Sequence, residues 1–448
     1  MNNSNICNKK RLSEYAYEFF LSDRIEGFFF SVVCATIFTA SMFHWRLDID
    51  HNLSVRDGVL IENMLDFGHI FWVEVIVAIY YIIRKYLQDI KFHFDAALTM
   101  LICAMLLVAV LDYHREDYLN VQYAWLLPMA YIIGKVVLTT NPLIINDRLE
   151  KMFFSLAFGI FIASAMDFYN NFRLAYYYKV LSTEFWMSFW VWSEESRCTY
   201  ELGFVLLTAS FGYMIYKSRK HICGIILILI VNVLIQYCDI VVEGRENRLL
   251  IVINVVLFSL LFLYDRWTFF SEKIRKIVKR TVLIIGALIV LLVLAFIFNI
   301  CGFYDRYLAS NWSAGGGVLT NVRFLVDYSA FKLMLKYPTE NYANYTNVYD
   351  YYYQSHSMLL EYGRLNGFTV YLALVLFRLI IIKDAIILAF KKNANSWVKY
   401  FLIPGFVSIN MYYSMEPNGY AHRYFWMIGL LISGMIRGWN EVNDKCMK

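Results

Sequence analysis

Between Thr281 and Cys301 the chain carries no charged side chain, and comparable apolar blocks recur along its length. A run of about 20 apolar residues crosses ~30 Å of hydrocarbon as a helix. Lipid offers the backbone no hydrogen-bonding partner, so such segments must close their hydrogen bonds internally. About twelve segments meet this length requirement. They centre on 25–45, 69–87, 94–112, 121–140, 150–168, 201–216, 222–240, 249–265, 281–301, 367–388, 399–415 and 423–438. The expected fold class is therefore an all-α polytopic membrane protein with about 12 transmembrane helices.

Composition supports this. Of 448 residues, 60% are hydrophobic and 17% charged, against roughly 45–50% and about 25% in soluble domains. One water-soluble core does not keep growing beyond ~250–300 residues, and long apolar blocks exclude a disordered chain or a nucleic-acid binder. The stretch MNNSNICNKKRLSEYAYEFFLSDR is too long and acidic for a cleavable signal peptide, so the first block is expected to remain as a span. The cysteines give no disulfide framework: Cys34, Cys103, Cys223, Cys238 and Cys301 fall in or beside apolar blocks, and Cys198 sits in a long polar loop. No internal repeat is visible, which argues against a transporter built on inverted repeats.

Basic residues set the orientation, because short cytoplasmic loops collect them. With both termini inside, the cytoplasm receives Lys9, Lys10, Arg11, Arg84, Lys85, Lys91, the run KSRK at 217–220, RWTFFSEKIRKIVKR at 266–280, and Lys391 with Lys392. The reverse orientation would export the 266–280 cluster. The long loops 46–68, 169–200 and 302–366 then all lie outside, the last between the ninth and tenth helices. The chain divides into 1–301 (nine membrane helices), 302–366 (an extracytoplasmic loop) and 367–448 (three further helices). Loops longer than about 12–15 residues are usually functional or disordered. This one is rich in Tyr, Asn and Gly and poor in charge, so order and function are expected there.

Within the loop, Phe324, Phe331 and Leu335 recur at helical spacing between Arg323 and Pro338. They predict an amphipathic helix on the membrane surface, begun after the Gly315–Gly317 turn. Arg323 falls at its N-terminal end, where the helix dipole prefers an acid; a bound anion would account for a cation there, as would lipid headgroup contact. His356 follows Tyr342, Tyr345, Tyr349, Tyr351, Tyr352 and Tyr353 at the edge of the next span. Histidine titrates near neutrality and can serve as a base, or it can simply be packed. The tyrosines suit an aromatic belt or stacking on sugars. Upstream, Arg245 and Arg248 open the eighth helix on the outer side, against the positive-inside rule. Arginine suits bidentate phosphate recognition, and snorkelling to lipid phosphates is the alternative.

Taken together, these features resemble the O-antigen polymerase and ligase family of bacterial polysaccharide assembly, including Wzy-type polymerases. The resemblance rests on Gly244-Arg245 opening a helix, on Arg323 to Pro338 spanning the loop helix, and on His356-Ser357-Met358-Leu359-Leu360-Glu361 with Gly367 opening the next span. The motifs cover roughly 240–375. The chain departs from the family where Thr339-Glu340-Asn341 replaces glycines after the proline, and where Ser357 replaces the usual asparagine.

The resemblance implies transfer of a glycan from an undecaprenyl-diphosphate carrier to an acceptor outside the membrane. It implies no cofactor and no metal, and inversion at the anomeric carbon by a single displacement. Arg245, Arg323 and, as a reserve, Arg248 would bind the diphosphate. His356 would act as base toward an acceptor hydroxyl, and Glu361 would orient its imidazole or cap the helix. The implied setting is the bacterial cytoplasmic (inner) membrane with the active site on the extracytoplasmic face. The partners would be membrane lipids, lipid-linked donor and acceptor oligosaccharides and a chain-length regulator, with no nucleic acid. A repeat-unit polymerase for capsule, exopolysaccharide or O-antigen is the reading adopted. The alternatives are a ligase acting on lipid A-core, protein or wall, a metal-dependent glycosyltransferase using Asp48 and Asp50, and a lipid-linked oligosaccharide flippase.

Overall fold

The computed structural model describes residues 14–43, 70–88, 92–114, 118–138, 144–159, 162, 209–241, 245–302, 322–338, 355, 357–391, 396–415 and 423–446. Among these every regular element is helical, with no strand. In chain order the helices are α1 (Asp23–Phe43), α2 (Ile70–Leu87), α3 (Ala96–His114), α4 (Tyr118–Val137), α5 (144–159), α6 (209–218) and α7 (Ile222–Val241). They continue with α8 (Arg245–Arg266), α9 (Glu272–Ile297), α10 (Val322–Lys336), α11 (Met358–Asn366), α12 (Phe368–Ala389), α13 (Ile403–Met415, preceded by a π-helical turn at Val398–Leu402) and α14 (Arg423–Cys446).

A helix overlaps each of the apolar segments named above. By length and composition, three helical stretches suffice to cross a membrane: Ala96–His114, Leu249–Phe269 and Glu272–Ala295; Ala124–Val137 is apolar but shorter. Others fall short because charge interrupts them: Glu74, Arg84 and Lys85 in α2, and Arg378, Lys383 and Asp384 in α12. The outside of the bundle is apolar too. Leu106, Leu107 and Val110 of α3 are exposed although Leu101, Met105 and Val108 are buried. The α9 window is exposed all round. Apolar surface on this scale needs lipid as its solvent.

The core is built on α4, packed most extensively against α14 and flanked by α3 and α2, with α12 across α3. Glycines permit the α4–α14 crossing. A Cβ at Gly434 would meet the Tyr131 carbonyl, one at Gly438 the Lys135 carbonyl, and one at Gly134 the Leu431 carbonyl. Small residues four apart let two membrane helices meet backbone to backbone.

This contact ends in a buried charge network. Lys135 Nζ lies 2.6 Å from Asp95 Oδ2 and 2.9 Å from Glu441 Oε1, and donates to the His93 carbonyl at 2.7 Å. Tyr131 donates to Asp95, and Arg437 bridges Asp384 (3.1 Å) and Glu441 (3.2 Å). Other pairs join helix ends in the same way: Arg84 with Asp23, Arg148 with Glu26, Lys217 with Glu150, and Lys399 with Asp265. Every helix end in this set is one that the lysine and arginine distribution assigns to the cytoplasm.

Candidate functional site

Arg245 is the first residue of α8, Arg248 lies in its first turn, and Arg323 is the second residue of α10. Both helices therefore present unpaired backbone N–H groups and a positive dipole end where the sequence adds cations. A cation added to a positive helix end favours an anion at that end. The side chains of these arginines lie outside the described residues, as do His356, the tyrosine run, the Gly315–Gly317 turn, and Asp48 and Asp50 of the alternative metal reading.

The residues on either side of position 356 are well defined. Ser357 is the N-cap of α11, and Ser355 is completely buried. The Ser355 N–H donates to Glu361 Oε2 at 2.9 Å, and its hydroxyl donates to Asp327 Oδ1 on α10 at 2.5 Å. The Ser357 N–H donates to Ser355 Oγ at 3.3 Å. Glu361 is 1% exposed. Its carboxylate takes both Arg364 Nη2 (2.6 Å) and Arg364 Nε (2.9 Å), a bidentate pair within one turn of α11. The Glu361 carboxylate reaches back past the helix start and accepts from the Ser355 N–H.

The loop helix forms where expected but is not amphipathic, since apolar residues lie on both its buried and its exposed side. Val326, Ser329, Ala330 and Met334 form its buried stripe, whereas Phe324 and Leu335 are exposed and Phe331 is half-buried. The stripe faces α11, where Met334 packs against Gly363. Phe331 stands edge-on to Tyr371 of α12, with centroids 6.1 Å apart. The exposed side carries Phe324 stacked on Tyr328 and Lys332 over the same ring. Both faces of the helix are apolar enough to pack, and the contact with α11 selects which one does.

Two features tie this subdomain to the membrane helices. The Phe368 N–H donates to the Pro338 carbonyl at 3.0 Å, clamping the end of α10 to the start of α12. Gly367 joins α11 to α12 at φ +92°, a conformation that a Cβ would strain. The glycine expected to open the span is thus the hinge residue of a helix–helix corner. Tyr362 of α11 rests on Trp426 at the start of α14, 4.9 Å between centroids. Sequence reasoning missed Asp327 and Arg364. Asp327 is 28 positions from Ser355, and no local periodicity links them.

The chain has no match among protein-family models, curated proteins or solved structures.

Proposed function

We propose that this protein is a bacterial membrane glycosyltransferase that polymerises undecaprenyl-diphosphate-linked repeat units of a capsule, exopolysaccharide or O-antigen. About twelve helices cross the inner membrane, with both termini in the cytoplasm and the 302–366 loop outside. The observation that carries the reading is the braced segment around position 356. Its flanking serines are tied to the loop helix through Asp327 and to α11 through Glu361, while Arg245 and Arg323 open helices. A catalytic group works best on a support whose position is fixed in advance.

In this reading Arg245 and Arg323, with the dipole ends beneath them, bear the negative charge that develops on the leaving lipid diphosphate. His356 takes the proton from the acceptor sugar hydroxyl, whose oxygen bonds to the anomeric carbon as the bond to the diphosphate oxygen breaks. Glu361 positions; it is not the base, because its oxygens are already engaged by Arg364 and Ser355. Ion pairs join helix ends that this orientation places together in the cytoplasm.

The test is turnover of purified lipid-linked repeat units by the full chain in detergent or nanodiscs, with EDTA present. Wild type is expected to elongate and His356→Gln to lose roughly 10²–10⁴-fold in rate, the usual span of a general base. Near-wild-type turnover by His356→Gln would remove His356 as base. Abolition of wild-type turnover by EDTA would move the reading to the Asp48/Asp50 alternative.

A further inference from the structure

Glu74, on α2, faces a cavity of about 30 Å³ where α1, α2, α4 and α14 meet. The residue is 6% exposed, and its fully enclosed Oε2 has no hydrogen-bond partner among the described residues. The walls come from Val33 and Thr36 of α1, Ala130 and Ile133 of α4, and Met427 and Leu431 of α14. Thr36 is the other polar side chain there, and its hydroxyl donates to the Val32 carbonyl at 3.0 Å.

Four of the other buried acids have a cationic partner. Glu26 has Arg148, Asp95 has Lys135, Asp384 has Arg437 and Glu361 has Arg364. Among the described residues no ionisable group besides Glu74 lines this cavity. Of the described charged groups on the helices packed around it, Arg84 is turned to Asp23, Lys135 to Asp95 and Glu441, and Arg437 to Asp384.

A carboxylate left unpaired in apolar surroundings neutralises rather than pay its desolvation. Once protonated, it has one O–H to donate and needs an acceptor. A water requires roughly 10–15 Å³ of such space, so the cavity admits one or two. A metal ion would need more oxygens than Glu74 and Thr36 provide; calcium, for example, takes about 6–8.

We propose that Glu74 is a proton-binding site within the membrane bundle, its carboxyl holding a proton shared with water in the adjoining cavity and open to attack by lipid-soluble carbodiimides. This inference is independent of the glycan-transfer reading. In the modification, the carboxylic proton passes to a carbodiimide nitrogen and the carboxylate oxygen bonds to the central carbon. The resulting O-acylisourea rearranges to a stable N-acylurea that keeps the whole reagent mass.

Two measurements on the purified full chain test this. The infrared difference between wild type and Glu74→Gln is expected to contain the carbonyl band of a protonated carboxyl, lost in the variant. Mass spectrometry after dicyclohexylcarbodiimide is expected to find the adduct on the Glu74 peptide of wild type, decreasing as the medium is made alkaline. Ionised-carboxylate bands in the difference spectrum would overturn the proton site. Absence of the adduct from the Glu74 peptide would overturn the carbodiimide-reactive assignment.

Discussion

Replacing Glu361 by Gln tests whether this residue supports the site or takes part in the chemistry. Gln keeps the shape and one carbonyl oxygen but puts an amide N–H₂ where either Arg364 or the Ser355 N–H now donates. The side chains of Glu361 and Arg364 are 1% and 14% exposed, so water compensates little. A hydrogen bond to a charged group contributes about 1.5–3 kcal/mol, and a buried donor left facing another donor costs about 1–3 kcal/mol more. The sum, about 2.5–6 kcal/mol, brackets the ~3–5 kcal/mol cost of breaking a buried ion pair. Most of it should fall on the segment that Glu361 holds, so hydrogen exchange is the suitable assay. Amides of Met358–Asn366 should exchange roughly 10²–10⁴-fold faster, since each 1.4 kcal/mol is about tenfold. Turnover should fall in kcat with little change in KM, and its pH profile should keep its shape. Unchanged exchange at Met358–Asn366 together with abolished turnover would refute the supporting role and make Glu361 a chemical participant.

Arg245→Lys and Arg323→Lys should each lower turnover strongly while the protein stays in the membrane, because lysine lacks the bidentate fork; full-length polymer from Arg323→Ala would exclude a diphosphate role. Lys135→Met leaves Asp95 and Glu441 without their shared cation and should cost about 3–5 kcal/mol in detergent unfolding. Adding Asp95→Asn should recover part of that loss, and a single variant as stable as wild type would mean the network does not lock α4 to α14.

Helix positions were legible because each apolar run overlaps a helix among the described residues, but hydropathy measures membrane thickness and not helix length. Thus α9 begins at Glu272, well ahead of the apolar run at 281: the segment EKIRKIVKR is already helical, with Lys276 paired to Glu272 one turn away at 3.1 Å. In the same way α5 starts at 144, on the polar turn that carries Asp147 and Arg148, and α14 runs on to Cys446 through Arg437 and Glu441. Lys135, a polar residue inside an apolar run, is neutralised by the fold. Asn254, another such residue, accepts a hydrogen bond from Ser408 at 2.8 Å. Helix starts at Arg245 and beside Arg323 could be read from the preceding glycines and the spacing. The Asp327–Ser355 bond could not, since it joins a loop helix to a segment beyond the tyrosine run.

Topology gives the most demanding test of the whole arrangement, because two independent lines of reasoning must agree. Charge asymmetry assigns 266–280 and 391–392 to the cytoplasm. Contacts constrain the same ends without reference to charge counting. Lys217 pairs with Glu150, Lys399 with Asp265, and the Tyr264 hydroxyl donates to the Phe390 carbonyl at 3.2 Å. These contacts put the start of α5, the ends of α6, α8 and α12 and the approach to α13 at one end of the bundle. At the other end, α11 docks on Trp426 at the start of α14. Reporter fusions near Lys276 and Asn393 should therefore report the cytoplasm, and fusions after Leu308 and Tyr349 the exterior. A cytoplasmic signal at Tyr349 would put the His356 segment on the wrong face for a lipid-linked donor and remove the catalytic assignment. Opposite signals at Lys276 and Asn393 would break the bundle itself, since α8 and α12 could not then end side by side.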